Sequence, residues 1–273
     1  MFGLQDVYNK EIKSKRHVDY FFTFNLGVTN EYKKVLNANF NLLGSLINND
    51  ISFNNNNNNK LNKISFISQY REDQKNHPIF VYSNGTPITK KAFYNAEFKV
   101  LPTILSFCRK NNYKLEVLGC HKDVQNEFDF FKKILGENPD WYFQPKINHE
   151  DTFASLSTSI LITGIDSTLL YESFARGLKT IFFCFRHSDL KMKSYKFGWP
   201  NKFDDNGTFW INFYNKQKAL NILNSIIEMN HENYNLVLEK YRKNTMIYDS
   251  KNSSLTKTID ELKKEFLNLK KLI

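Results

Sequence analysis

The sequence predicts an α/β fold, with a parallel sheet covered by helices on both faces. Three observations carry that expectation. Short apolar runs recur as KISFISQY, KLEVLGC, DWYFQ, ILITG and KTIFFCFR. Segments with helical spacing separate them. The runs are nearly continuous in apolar character, as strands buried on both faces are. Regular strand–helix alternation of this kind implies an open sheet, and such sheets bind ligands at the carboxyl ends of their strands, near a topological switch point.

The elements follow in order. Residues 1–53 hold two short strands, VDYFFTF and NFNLLGS, with a helix-like EYKKVLNA between them. Residues 54–62 are an Asn-rich linker, read as a surface connection. Residues 63–215 form the regular domain. In it the strand KISFISQY is followed by a polar loop with His77-Pro78. The helical KKAFYNAEFKVLPTILSFCRKNN comes next, and Pro102 should kink or split it. After the strand KLEVLGC, DVQNEFDFFKKILGE is helical, with Asp123 as N-cap and Gly136 near its end. DWYFQ is a short strand, HEDTFASLSTS a short helix and ILITG a strand. STLLYESFARG is a helix, KTIFFCFR a strand, and HSDLKMKSYKFGWPNKFDDNGTFW is irregular. Residues 216–273 are expected to be largely helical and to pack back on the rest.

Composition bounds the partners. The 273 residues suffice for one large domain, or one domain with part of another. A hydrophobic content of 41% supports a sizeable core, mean hydropathy is -0.51, and no apolar run reaches the ~20 residues of a membrane span. MFGLQDVYNKEIKSKR has no apolar signal-peptide core. Cys108, Cys120 and Cys184 show no paired metal spacing and read as reduced thiols, which fits the cytoplasm. The net charge of +10 would suit nucleic acid, anionic headgroups or a phosphorylated substrate. The basic residues are dispersed, however, apart from an amphipathic tail, and no nucleic-acid motif is present. No nucleic-acid partner is therefore expected. The charge is compatible with peripheral attachment at the inner face of a membrane.

Polar groups gather at four strand ends. These are Ser68-Gln69-Tyr70-Arg71, Gly119-Cys120-His121-Lys122, Gln144-Pro145-Lys146, and Thr163-Gly164-Ile165-Asp166-Ser167-Thr168. In a parallel sheet all four lie on one edge. Gly164 allows a tight turn or a close approach to a ligand. Asp166 or Ser167 can cap the next helix, whose free N–H groups and dipole suit a phosphate. Glu172 lies one turn in, where a carboxylate can accept from a sugar's vicinal hydroxyls. The same turn also reads simply as a helix cap, with Glu172 solvated and His121 structural. HExxH, GKS/T, GxSxG and CxxC are absent, so zinc proteases, P-loop ATPases and serine hydrolases have no support.

The array ISQYRE, GCHKD, ITGIDSTLLYESFARGLKTIFF, FGWP with NGTFW, and MIYDSKN resembles bacterial surface-carbohydrate biosynthesis proteins. These are similar to glycosyltransferases of the two-Rossmann GT-B class and to the enzymes that build capsule and teichoic-acid polymers. The resemblance implies that this chain supplies the C-terminal, nucleotide-sugar-binding domain. It implies a phosphate seat at Gly164, Asp166, Ser167 and Thr168, a ribose ligand at Glu172, and donor contacts from Ser68, Gln69, Arg71 and Lys122. His121 is the candidate catalytic residue, although Lys122 follows it where the family has proline. Only residues 1–53 precede the Asn run, so the chain reads as a truncated or split enzyme with a remnant of the N-terminal, acceptor-side domain.

The resemblance thus implies transfer of a sugar from a nucleotide-activated donor to a glycan or lipid-linked acceptor, without metal or further cofactor. A nucleotide-sugar epimerase, a glycerophosphate-type transferase, or a nucleotide-binding subunit completed by a partner chain are the alternatives. In FGWPNKFDDNGTFW, the aromatics Trp199, Phe209 and Trp210 either cover the nucleotide or pin the terminal helices, and packing is expected.

Overall fold

The computed structural model describes residues 15–51, 60–71, 80–82, 84–120, 124–146 and 148–270. Its contacts divide into two compact units, Met1–Ser52 with Tyr241–Ile273, and Phe53–Lys240.

In the smaller unit, β1 (Arg16–Thr23) pairs in parallel with β2 (Leu36–Leu42). Between them α1 spans Leu26–Tyr32, and α2 (Leu46–Asp50) follows β2. The helix therefore lies earlier than EYKKVLNA suggests. Asn25 starts it, with its side-chain oxygen accepting from the Val28 N–H at 2.9 Å. The period-two pattern Leu36, Ala38, Phe40 already belongs to the strand. Buried Asn49 fastens the C-terminal segment to this frame. Its amide donates to the Leu43 carbonyl at 2.7 Å and to Asn252 Oδ1 at 3.0 Å, and its oxygen accepts from the Asp249 N–H at 3.0 Å. The C-terminal helix Ser253–Lys270 closes the unit.

The larger unit contains a six-stranded parallel sheet built from β3 (Leu61–Ile67), β4 (Lys114–Leu118), β5 (Trp141–Gln144), β6 (Ser159–Gly164), β7 (Thr180–Phe183) and β8 (Trp210–Ile211). Its spatial order is β5-β4-β3-β6-β7-β8. Counting β3 as first, this is the doubly wound order 3-2-1-4-5-6, which reverses direction between β3 and β6. The expected α/β architecture is thus present, with one further strand, β8, that begins at the last residue of the stretch read as irregular. Two residues are too short a run to announce themselves by periodicity.

Alternation along β3 shows how both faces are covered. Phe66 meets Phe131 of α5 (Val124–Leu135) edge-on, with ring centroids 6.3 Å apart. Lys63, on the other side of the pleat, donates to Ser155 of α6 (His149–Thr158) at 2.8 Å. The same ammonium is 2.8 Å from Glu116 Oε1, and this buried pair is also satisfied by Ser65 and Tyr142. Buried charges persist in folded chains when every lone pair finds such a donor.

The helical stretch after β3 breaks, but at Tyr94. Helix α3 (Lys90–Phe93) stops there, and α4 (Asn95–Lys110) then continues across Pro102 without a break. Pro102 is exposed, so the carbonyl it leaves unpaired lies on the water-facing side of α4, where solvent satisfies it.

Helix α7 (Thr168–Ala175) joins β6 to β7, α8 (Arg186–Leu190) follows β7, and α9 (Lys216–Glu228) and α10 (His231–Thr245) follow β8. The aromatics before and within β8 pack. Trp210 stacks on Phe197 at 4.3 Å, and Phe209, fully buried, touches Phe174 of α7 and Tyr234 of α10. The Tyr234 hydroxyl donates to the Leu178 carbonyl at 2.7 Å and accepts from the Thr180 N–H at 3.1 Å, which pins α10 to the start of β7. Trp199 is half-exposed.

Candidate functional site

The register of β3 against β6 pairs Ile67 with Gly164. The residues that follow, Ser68-Gln69 and Ile165-Asp166, therefore emerge side by side at the carboxyl edge, at the switch point. A Cβ at Gly164 would lie 3.3 Å from Leu170 Cδ2, the movable end of a side chain, and in ordinary contact at 3.5 Å with the Ile67 carbonyl oxygen, so the two strand ends pass close without requiring glycine.

Gln69 and Asp166 are brought together by a residue that none of the four strand ends contains. Arg186, 1% exposed, is the first residue of α8. Its Nη1 donates to Gln69 Oε1 and to Asp166 Oδ1, both at 2.8 Å. Its Nη2 pairs with buried Glu97 of α4. Its Nε donates to the Phe93 carbonyl at 3.1 Å, which the helix break at Tyr94 leaves available, and the guanidinium lies 3.8 Å from the Phe93 ring centroid. Five donors in a fixed fork suit Arg to this task.

The cluster sets one cation against two carboxylates. Glu97 Oε2 and Asp166 Oδ2 are buried with no hydrogen-bond partner among the described residues. Burial accordingly raises the Glu97 carboxyl to about 7 against the pull of Arg186, and it raises Asp166 by the same mechanism. Burial opposes the charge of Arg186, but Glu97 and Asp166 outweigh it and hold the guanidinium above its ordinary range.

Past this cluster the chain turns into α7. Ser167 is the N-cap residue, yet its side chain makes no capping bond. The Ser167 carbonyl accepts from the N–H groups of Leu170 and Tyr171. Among the described residues, no protein acceptor meets the N–H groups of Ser167, Thr168 or Leu169. Thr168 is exposed and Ser167 half-exposed. Glu172, half-buried, stands one turn on, on the same side of α7 as Thr168. Three free donors, two hydroxyls and the positive end of the helix thus face outward, an arrangement suited to an anion.

The remaining candidates divide. Ser68 is buried. Its hydroxyl donates to Glu127 of α5 and accepts from the Tyr70 N–H at 3.1 Å. Glu127, fully buried, also accepts from the Cys120 N–H at 3.0 Å. Burial and this carboxylate push the Cys120 thiol up to about 12. Arg71 is exposed, with its backbone held by the Tyr94 hydroxyl, which accepts from its N–H at 2.7 Å. His121, Lys122, Asp123 and the His77-Pro78 loop lie outside the described residues. Arg186, Glu97 and Glu127 were not anticipated. Arg186 had a signal, because it sits at the end of a fifth strand, KTIFFCFR, on the same edge as the other four.

Among the described residues no group of three or more His, Cys, Asp or Glu side chains could hold a metal ion, and no helix is long and apolar enough to cross a membrane.

Solved structures with a similar fold include a Methanocaldococcus jannaschii UDP-GlcNAc 2-epimerase in complex with UDP-GlcNAc and UDP. Its TM-score is 0.52 at 10% identity, and the match covers 89% of this chain and 61% of that one. A "putative UDP-N-acetylglucosamine 2-epimerase" from Listeria monocytogenes gives a TM-score of 0.56 at 10% identity, over 92% of this chain and 60% of that one. The likeness is one of fold, and this chain spans about 60% of the length of both proteins. No curated protein matches the sequence. The family model described as "putative O-antigen biosynthesis protein" matches residues 2–265. With nearly its whole length inside that match, the chain belongs to this family of O-antigen biosynthesis proteins, as its resemblance to surface-carbohydrate proteins implied.

Proposed function

We propose that the chain binds a nucleotide-activated sugar at the switch point and takes part in transferring that sugar during O-antigen assembly. The observation that carries the reading is the first turn of α7. The N–H groups of Ser167, Thr168 and Leu169 are open, the hydroxyls of Ser167 and Thr168 flank them, and Glu172 is one turn away. Diphosphate oxygens would accept from the amides, and Glu172 would accept from the ribose hydroxyls. Negative charge on the departing nucleotide would be stabilised by the same amides and by the positive end of α7. Arg71 is exposed beside this edge as a further cation. Gln69 and Asp166, clamped by Arg186, would hold the turn in register and would contact the donor less directly.

Calorimetric titration of CMP, CDP, UDP and GDP into wild type and Glu172→Ala tests this. One nucleoside diphosphate should bind, and the variant should lose about tenfold or more in affinity, the scale of a hydrogen bond to a charged group. No binding of any nucleotide, or equal binding by the variant, removes the proposal.

A second reading has its own support, since the Methanocaldococcus jannaschii protein described above is a UDP-GlcNAc 2-epimerase and the Listeria monocytogenes protein carries the same name with "putative" before it. Epimerisation needs no acceptor. Conversion of a UDP-linked amino sugar in the absence of any acceptor would replace transfer by epimerisation. Turnover that depends on added acceptor would exclude the exchange.

A further inference from the structure

The opposite edge of the sheet carries a concave feature that the switch-point site does not use. A cavity of about 340 Å³ opens there, within the size range of small-molecule pockets. Lys60 and Asn62 at the start of β3, Tyr113 before β4, Lys179 before β7, and Asn230 and His231 at the start of α10 line it. All belong to the larger unit. The six residues of β6 separate this edge from the switch point by roughly 20 Å.

Its charge is one-sided. Lys60 donates to the Ser157 carbonyl at 2.7 Å, and Lys179 donates to the Ile227 carbonyl at 2.8 Å. Neither ammonium has a carboxylate partner among the described residues, so each keeps two of its three donors. The two are close enough for Lys179 to depress Lys60 after burial has done so, and burial also lowers Lys179. Asn230 caps α10 by accepting from the Asn233 N–H at 2.8 Å, so the positive end of that helix starts at the cavity wall. Glu232, in the first turn of α10, is exposed, and among the described residues the two lysines bond to backbone carbonyls and not to it. Ile160, Leu178, Ile227 and Met229 give the rest of the wall an apolar surface.

We propose that this cavity is a second binding site, for a small organic phosphate whose dianion lies between Lys60 and Lys179 and whose body covers the apolar wall. A doubly charged anion would relieve the repulsion between the two ammonium groups. The site is independent of the nucleotide-sugar reading and concerns different residues.

The test uses the full chain with inorganic phosphate and glucose 1-phosphate as probes, titrated by calorimetry into wild type, Lys60→Met, Lys179→Met, the double variant and Glu172→Ala. Methionine keeps the length of the stem and removes the charge. Glucose 1-phosphate should bind wild type at least fivefold more tightly than inorganic phosphate. Each single variant should lose tenfold or more at this cavity, the double variant should keep only the anion binding of the α7 turn, and Glu172→Ala should bind at the cavity as wild type does. Equal affinity in the double variant, or no binding to wild type at millimolar probe, overturns the proposal. Equal affinity for both probes overturns the assignment to an organic phosphate. Acetylation of wild type, read by mass spectrometry, avoids dependence on the variants. Glucose 1-phosphate should protect Lys60 and Lys179 but not exposed Lys257, and uniform labelling with and without the probe counts against the site.

Discussion

Arg186 Nη1 lies 2.8 Å from Asp166 Oδ1, and this contact ties the turn before α7 to the helix that follows β7. Because the Ser167 side chain makes no capping bond, the position of the first turn of α7 rests on this clamp. The same guanidinium holds Gln69 from the neighbouring strand end. One buried cation therefore sets the geometry of the whole switch point.

Removing that cation should be costly. Arg186→Ala leaves Glu97 and Asp166 buried without their counter-charge, a situation that destabilises by about 3–5 kcal/mol. Arg186→Lys keeps the charge but cannot reach all four acceptors, so it should fall between wild type and the alanine variant. Urea unfolding measures both. An alanine variant as stable as wild type would contradict the network.

Glu97 should make stability depend on pH. Its carboxyl titrates near 4.5 when unfolded and near 7 when folded. The folded state thus holds the proton more tightly, and its advantage is complete below 4.5 and lost as pH rises through 7. Relative to Glu97→Gln, wild type should lose stability between pH 5 and 7.5. Melting temperatures across that range report the difference, and a constant gap would refute the assignment.

Cys120 should be slow to alkylate despite its exposed position. A thiol raised to about 12 carries far less thiolate at neutral pH than free cysteine. Native protein at pH 7.5 should react with iodoacetamide at least tenfold more slowly at Cys120 than a free thiol does. Glu127→Gln removes a carboxylate that raises the thiol and should speed the reaction. Rates are read by mass spectrometry of the Cys120 peptide, and fast labelling of wild type would show that the thiol is not so held.

Two glycines with the same backbone sign should respond differently. Gly44 has φ +80°, and a Cβ there would lie 2.0 Å from the Ile247 carbonyl oxygen, so Gly44→Ala must displace the backbone of the smaller unit. Gly136 has φ +72° and open space around it, so Gly136→Ala should cost only the left-handed strain of about 1–2 kcal/mol. Denaturation should rank Gly44→Ala well below Gly136→Ala, and similar losses would show that the 44–247 approach relaxes freely.

Much of the fold is legible because its signals are local. A buried parallel strand is an apolar run wherever it occurs, so β3, β4, β6 and β7 could be read directly, and α7 was marked by its polar turn and by Gly177 at its end. The helix break was misplaced because Pro102 is penalised by a missing hydrogen bond only where water cannot replace it. That depends on which face of α4 is buried, and sequence spacing alone leaves that open.

Sequence by itself determined the strand–helix alternation, the gathering of polar residues at the carboxyl ends, and the family to which the chain belongs. Tertiary structure decided the strand order, which puts Gln69 beside Asp166 across ninety-odd residues of chain. It also decided that Arg186 closes the cluster with Glu97, 89 positions away. The reason is electrostatic. A buried carboxylate and a solvated one are the same letter, and only the packed structure removes the water that distinguishes them.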